Sequence, residues 1–500
     1  MAGRSRTSTR EKASGRAQAA DRETSAGREK PPAKAAGAAA RDVTRPTAAR
    51  PEPAARGGSP RTGGRRATAA RIPGTRYPVE RFTLDNGLRV VLSPDRGVPV
   101  VGVAVVYDVG IRSEPEGRTG FAHLFEHLMF QGSANLEKLA HFRHVQGAGG
   151  SMNGSTHLDY TDYYEIVPSN ALERTLFLEA DRMRGPALTE ENLRNQVDVV
   201  KEEIRVNILN QPYGGFPWLK LPPVMFDTFA NVHDGYGSFV DLDSATVDDA
   251  AAFFRRYYAC GNAVLAVAGD VDVPTATALI ERHFGSVEAR PAPPLPNFDE
   301  PDLTAERRAA YTDPLAPLAV LAAGWRVPDP VADLTAYLPY VTLSQILTDG
   351  DASRLARRLV QRDRSATQVG SYLGFMGDAF DVRNPTAALV QASLPPGGTA
   401  DPVLRAVDEE LERIAADGVA ADELARVTAR MCTQLLQDTD SVLRRAQRMA
   451  VFALQHDAPD LLNSLPRRLA AVTAAQVAEA AATLRPQRRA VVEAVPGGAR

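Results

Sequence analysis

Cysteine is nearly absent: only Cys260 and Cys432 occur in 500 residues, far apart and outside any CxxC or Cys/His cluster. That excludes a disulfide framework, and both are expected to be buried small hydrophobes. The scarcity fits a reducing compartment. No apolar run approaches the roughly 20 residues that span a bilayer. The N-terminus carries charge but no apolar stretch, so it does not read as a secretory signal. The cytoplasm is the expected location, with no membrane partner. Aromatic residues are missing from positions 1–76, where Ala, Arg, Gly, Pro, Ser and Thr dominate. Such a segment buries too little apolar surface to offset ordering and is expected to be disordered. It holds 18 basic and 6 acidic side chains, a net of +12, which leaves the rest of the chain at −15 within a total of −3. A basic tail could touch nucleic acid through charge alone. A solvating tail, or an over-extended start, is the simpler reading, so nucleic acid is not an expected partner.

What remains is long enough for two cores. Asp85-Asn86-Gly87 is a turn between two apolar runs, followed by Val98–Tyr107, a strand with both faces covered. Helices are expected near 119–131, 134–146, 169–184, 189–209 and 274–284, and strands near 160–167 and 263–269. After the Pro-rich stretch at 290–296 the pattern repeats weakly. The helix-then-strand unit at 244–269 has a counterpart at 471–495, and Val101–Tyr107 has one in Leu318–Trp325. The expectation is an α+β protein of two homologous domains, each a mainly antiparallel sheet with helices packed on one face, behind a disordered tail. The boundaries are 1–76 for the tail, 77–288 for the first domain, 289–302 for the linker and 303–500 for a second domain without a metal site.

The segment Gly120-Phe-Ala-His-Leu-Phe-Glu-His-Leu-Met-Phe130 carries the chemistry. On a helix, His123 and His127 stack on one face and can share one zinc, with Glu126 beside it as candidate general base. The order His-x-x-Glu-His is the inverted form of a known peptidase signature. Two histidines and an acid can also sit on a helix without metal. Here Phe121, Leu124, Phe125, Leu128 and Phe130 surround them, and unpaired polar groups would be costly to bury there. A third ligand is needed, and Glu203 is the best donor. Leu193, Val197, Val200, Ile204 and Ile208 form the apolar stripe of its helix; Glu203 falls next to that stripe, while Glu202 falls on the exposed side. The other histidines, at 141, 144, 157, 233, 283 and 456, lie outside metal-like spacings and read mostly as surface or packing residues.

These motifs resemble the pitrilysin family, which includes insulin-degrading enzyme and the mitochondrial processing peptidases. The likeness runs from about 79 to 495 and is strongest in 119–132, 149–167, 195–205 and 257–272. It implies paired α/β domains and one zinc per chain, held by His123, His127 and a glutamate some 75 residues on, which favours Glu203. It implies an extended peptide substrate added to an edge strand, with Gly150, Ser151, Asn153 and Gly154 as substrate-binding candidates. Gln196, where some relatives place a second glutamate, becomes a second-shell candidate. The family's activity is zinc-dependent endopeptidase chemistry. One departure matters. Active members use an arginine and a tyrosine seven apart, and those slots hold Val360 and Thr367 here. The resemblance therefore implies a heterodimer with a homologous, zinc-lacking subunit that carries the Arg/Tyr pair. A non-catalytic assembly subunit of the same fold is the alternative.

Overall fold

The computed structural model describes residues 76–375 and 378–497; the expected disordered tail, apart from Arg76, lies outside them. The order begins with β1 (Glu80–Thr83), β2 (Arg89–Pro94), β3 (Val100–Tyr107), α1 (Phe121–Leu128) and α2 (Ala140–Gly147). A hairpin of β4 (Ser151–Thr156) and β5 (Thr161–Pro168) leads to α3 (Leu172–Arg184) and α4 (Glu190–Ile204). Three short helices follow: α5 (Pro222–Met225), α6 (Phe229–Val232) and α7 (Phe239–Asp243). Then come α8 (Val247–Tyr257), β6 (Ala263–Gly269) and α9 (Val273–Phe284). These strands form one sheet in the order β1-β2-β6-β3-β5-β4, antiparallel except between β2 and β6.

The second half repeats the plan. It starts with β7 (Arg307–Asp313), β8 (Val320–Val327), α10 (Leu334–Thr348), β9 (Gln368–Leu373) and β10 (Thr386–Ser393). Five helices follow, α11 (Ala400–Asp417), α12 (Ala421–Asp440), α13 (Val442–His456), α14 (Leu461–Ala470) and α15 (Ala474–Thr483), before β11 (Arg489–Pro496). Its sheet runs β7-β11-β8-β10-β9, antiparallel except between β7 and β11. The fold is thus α+β with two mainly antiparallel sheets, as the sequence implies.

Local chemistry explains the element ends. Gly87 adopts φ +91° in the first hairpin, a region open to glycine, and Asn86 bolts that turn to the end of α9 by donating to the carbonyls of Phe284 (2.8 Å) and Val287 (3.1 Å). The helix of each helix-then-strand unit opens on a capping box, Thr246 with Asp249 in α8 and Thr473 with Gln476 in α15. Two expected helices differ. The one expected from 134 begins only at Ala140, because Asp181 accepts from the backbone and side chain of Asn135 and from Ser133, which ties that stretch into a turn. The one expected to reach 209 ends at Ile204 and continues as a single π-helical turn, Arg205–Leu209.

Both faces of each sheet are covered, and the cover is exchanged. Along β3, Val101, Val103, Val105 and Tyr107 enter a core with the first half's own helices. The alternate residues Ala104 and Val106 enter the core of the second half, where α13 lies on β3 and β6. In return Leu221, Met225 and Phe226, in and beside α5, cover the outer face of the second sheet through Val320, Ala322, Leu389 and Val492. A glycine sits at each crossing. A Cβ on Gly102 would lie 2.7 Å from Leu443 Cα, and one on Gly324 would lie 2.5 Å from the end of Met225. The first meets backbone and cannot be relieved by a rotamer. Gly102→Ala is therefore expected to destabilise the fold by about 1–3 kcal/mol, read as a lowered thermal midpoint; an unchanged midpoint would mean that α13 does not seat there.

Candidate metal centre

α1 is only two turns long, and its apolar side (Phe121, Leu124, Phe125 and Leu128) is buried. That orientation turns His123, Glu126 and His127 toward α4 and β4. α4 starts at Thr189, whose side chain accepts from the Asn192 amide, and buries Leu193, Val197, Val200 and Ile204. Glu203 comes off this buried side half-covered, while Glu202 is exposed. Three donor atoms converge: His123 Nε2 and His127 Nε2 are 3.3 Å apart, Glu203 Oε2 is 3.3 Å from His127 Nε2 and 3.7 Å from His123 Nε2. A tetrahedral zinc about 2.0–2.1 Å from each donor would set them about 3.3 Å apart. The donor set fits a zinc ion. Two imidazole nitrogens turned on one another and on a carboxylate are an arrangement that a shared cation satisfies and hydrogen bonds alone do not.

The electrostatics show groups that burial makes costly to charge. Burial and the neighbouring His127 push His123 down to about 4. Burial also lowers His127, but its bond to Glu203 and the charge of Glu126 outweigh that and raise it; Gln196, buried on α4, adds a hydrogen-bonding side chain there. Glu203 is raised by burial and lowered more by the two histidines, ending below the ordinary range. Burial lifts Glu126 above it, against His127 and Thr156.

Glu126 sits against the edge strand. Thr156 Oγ donates to its Oε2 at 2.7 Å, and a Cβ on Gly154 would lie 3.1 Å from Glu126 Cγ and 3.3 Å from Phe130. β4 pairs only with β5 among the described residues, so its outer backbone edge is open. The four substrate-binding candidates are not equivalent. Gly154 pairs with Tyr163 and faces α1, whereas Asn153 pairs with Tyr164 on the opposite face. Ser151 is exposed at the far end of the strand, and Gly150 is wedged against Ile166 and Val167.

Several neighbours escape sequence reasoning. Thr156 lies within the Gly-rich segment but gives no sign of reaching Glu126. Tyr236 packs edge-on to His123 with ring centroids 5.3 Å apart, its phenol raised to about 12 by burial and by Glu203. Glu114 and His233 hold the start of α1 from positions 119 residues apart. His141, expected at the surface or in packing, is buried with Glu165 (2.9 Å) and Glu179 (3.4 Å) in a second donor cluster. There the Arg182 guanidinium already supplies positive charge, hydrogen-bonding Glu179 and lying 4.2 Å from the Tyr163 ring centre. In the second half, Val360 is half-buried and Thr367 exposed, while Arg354 and Arg358 are engaged by Glu423 and by Glu409 with Asp363. Both cysteines are buried and free.

Comparison with known proteins gives the site a context. Residues 89–212 match the insulinase family (peptidase family M16), and residues 244–431 match the peptidase M16 inactive domain. The zinc protease PqqE of Helicobacter pylori is 29% identical over 391 residues, 76% of this chain and 84% of its own. A probable beta subunit of the mitochondrial-processing peptidase from Arabidopsis thaliana is 25% identical over 265 residues, covering 50% of this chain and 48% of its own. The crystal structure of a protease from Helicobacter pylori superposes with a TM-score of 0.78 at 25% identity, over 84% of this chain and all of that one.

Proposed function

The chain belongs to the pitrilysin, or insulinase (M16), family of metallopeptidases, and from that premise we propose that it is a zinc-dependent endopeptidase acting on extended peptides. The observation that carries this is the convergence of His123, His127 and Glu203 donors within 3.3–3.7 Å, beside Glu126 and an open strand edge. Its relatives are zinc proteases, and zinc belongs to the family. The inactive-domain match at 244–431 contains none of the three donors, so it does not weigh against residues 123–203.

In this reading one zinc is held per chain by His123, His127 and Glu203, with Gln196 behind His127. Bound there, zinc would polarise the scissile carbonyl and bring the pKa of a water toward neutrality. Glu126 takes that water's proton and returns it to the leaving amine. Thr156 fixes one oxygen of Glu126, which leaves the other to face the water. The peptide adds to β4 through main-chain hydrogen bonds, and Gly154 keeps the strand close to Glu126. The division into homologous domains at 77–288 and 303–500 joined by 289–302 is part of the same proposal, supported by the matching strand and helix succession. So is a cytoplasmic location, supported by two buried, unpaired cysteines; among the described residues no helix is long and apolar enough to cross a membrane.

With Val360 and Thr367 in the Arg/Tyr slots, the chain is proposed to work with a homologous, zinc-lacking partner. Arg354 and Arg358 of the aligned region are engaged in ion pairs of their own, and a relative is named as a subunit. The test is a quenched-peptide assay on the zinc-loaded chain with and without such a partner. The partner is expected to raise turnover about 10^2-fold, the scale of adding one transition-state donor. A chain that cleaves equally fast alone, with Val360→Ala and Thr367→Ala unchanged, would sink the partner.

A further inference from the structure

The helix that bears His123, Glu126 and His127 is held at its start from outside. Its N-cap, Gly120, sits at φ +85° with Tyr236 O and Gly237 where a Cβ would lie, and it has no side chain to cap with. Glu114 does the capping instead. Its Oε2 accepts from the Gly120 amide at 2.8 Å and its Oε1 from the Ala122 amide at 2.7 Å. Behind it, His233 Nε2 faces Ile111 O (2.9 Å) and Glu114 Oε2 (3.2 Å), and Nδ1 faces Phe229 O (2.8 Å). The His233 and Glu114 side chains are 4% and 0% exposed, so both lie away from bulk water.

The fixed partners constrain the protonation states. Two backbone N–H groups donate to Glu114, one to each oxygen, so a carboxyl proton there could be accepted only by His233 Nε2, which also faces the Ile111 carbonyl. Every partner of His233 is an acceptor, and a neutral imidazole carries one N–H only, leaving a lone pair against a carbonyl oxygen. Imidazolium and carboxylate together satisfy all of these bonds. Burial lowers His233, but the bond and charge of Glu114 raise it more, leaving it above its ordinary 6.5. Burial lifts Glu114, opposed by His233 and the two amides.

We propose that Glu114 and His233 are positioning residues for the metal-bearing helix, a charged pair that fixes the start of α1 and thereby the directions of His123, Glu126 and His127. An anion at the positive end of a helix is favourable, and the amides it grips precede His123 by three residues and by one. Neither side chain hydrogen-bonds a metal donor. The proposal rests on the zinc reading above, and it adds a pH signature. Because His233 is raised on folding, its contribution is complete below 6.5 and fades as pH rises through the higher folded value. The other charges near it are Asp234 beside it, Lys220 facing Asp234, and Arg112 on the same pocket wall.

Three measurements on the full chain test this. Nitrogen-15 spectra of the wild-type histidines should show both His233 ring nitrogens protonated at pH 7. In Glu114→Gln, zinc affinity by chelator competition should fall about ten-fold, the scale of outer-shell changes, with kcat reduced, KM unchanged, and the gap to wild type narrowing at alkaline pH. His233→Phe keeps the ring stacked on Phe229 (4.5 Å between centroids) while removing both donors, and should weaken zinc similarly if Glu114→Gln fails to fold. A neutral His233 at pH 7, or a folded variant with zinc affinity within about two-fold of wild type, against the outer-shell scale, overturns the proposal. A wild-type chain that takes up no zinc would instead overturn the peptidase reading, while the spectra would still report the charge state of the pair.

Discussion

Glu126→Gln is expected to keep the fold and its zinc while lowering kcat by about 10^2- to 10^4-fold, the range of a lost general base. The amide occupies nearly the same volume, and one of its positions still meets the Thr156 hydroxyl that lies 2.7 Å from the carboxylate. Packing against Gly154 and Phe130 is likewise preserved. What disappears is the ability to take a proton. Metal content by elemental analysis should stay at one zinc per chain, and KM should change little if, as proposed, the β4 backbone holds the substrate. A variant that cleaves at the wild-type rate would remove Glu126 from the chemistry.

Removing a donor is expected to act earlier, on the metal itself. His123→Ala and His127→Ala leave two donors where zinc needs three, so each should lose far more than the 10- to 100-fold that outer-shell substitutions cost. Zinc should be lost on dialysis and activity with it. Glu203→Gln keeps the shape but replaces an anionic donor with a neutral one and should do the same. Glu202→Gln on the exposed side should do neither. Zinc should also raise the thermal midpoint of the wild-type chain, because it binds only the folded form, and should leave the His127→Ala midpoint unmoved. If Glu202→Gln released the metal and Glu203→Gln retained it, the third donor would have been misassigned.

How much of this a sequence can show depends on the range of the interaction. His123, Glu126 and His127 lie within two turns of one helix, so helical spacing alone makes their juxtaposition legible. Glu203 was legible one step further out, because parity against the apolar stripe of α4 separates it from Glu202. The unbroken apolar run of β3 told that both its faces are covered, but not that α13, more than 300 residues on, supplies one cover. Glu114, Thr156 and His233 were not legible for the same reason. A carboxylate six residues ahead of a helix has no fixed spacing to its cap, and His233 meets it across 119 residues. His141 gave no sign of burial because the groups that accept it, Glu165 and Glu179, sit on a strand and a helix that only the folded sheet brings to it.

The exchange of helices between the sheets has a mechanical consequence. Severed in the proline-rich connection, either piece would be left with an oily back, Val106, Ala266 and Ala268 on one and Val320, Leu389 and Val492 on the other, so neither piece is a transferable module. For the intact polypeptide, the two parts cannot swing apart without stripping those surfaces bare. The two halves are therefore expected to travel as one rigid body, with motion confined to surface segments outside this shared interior.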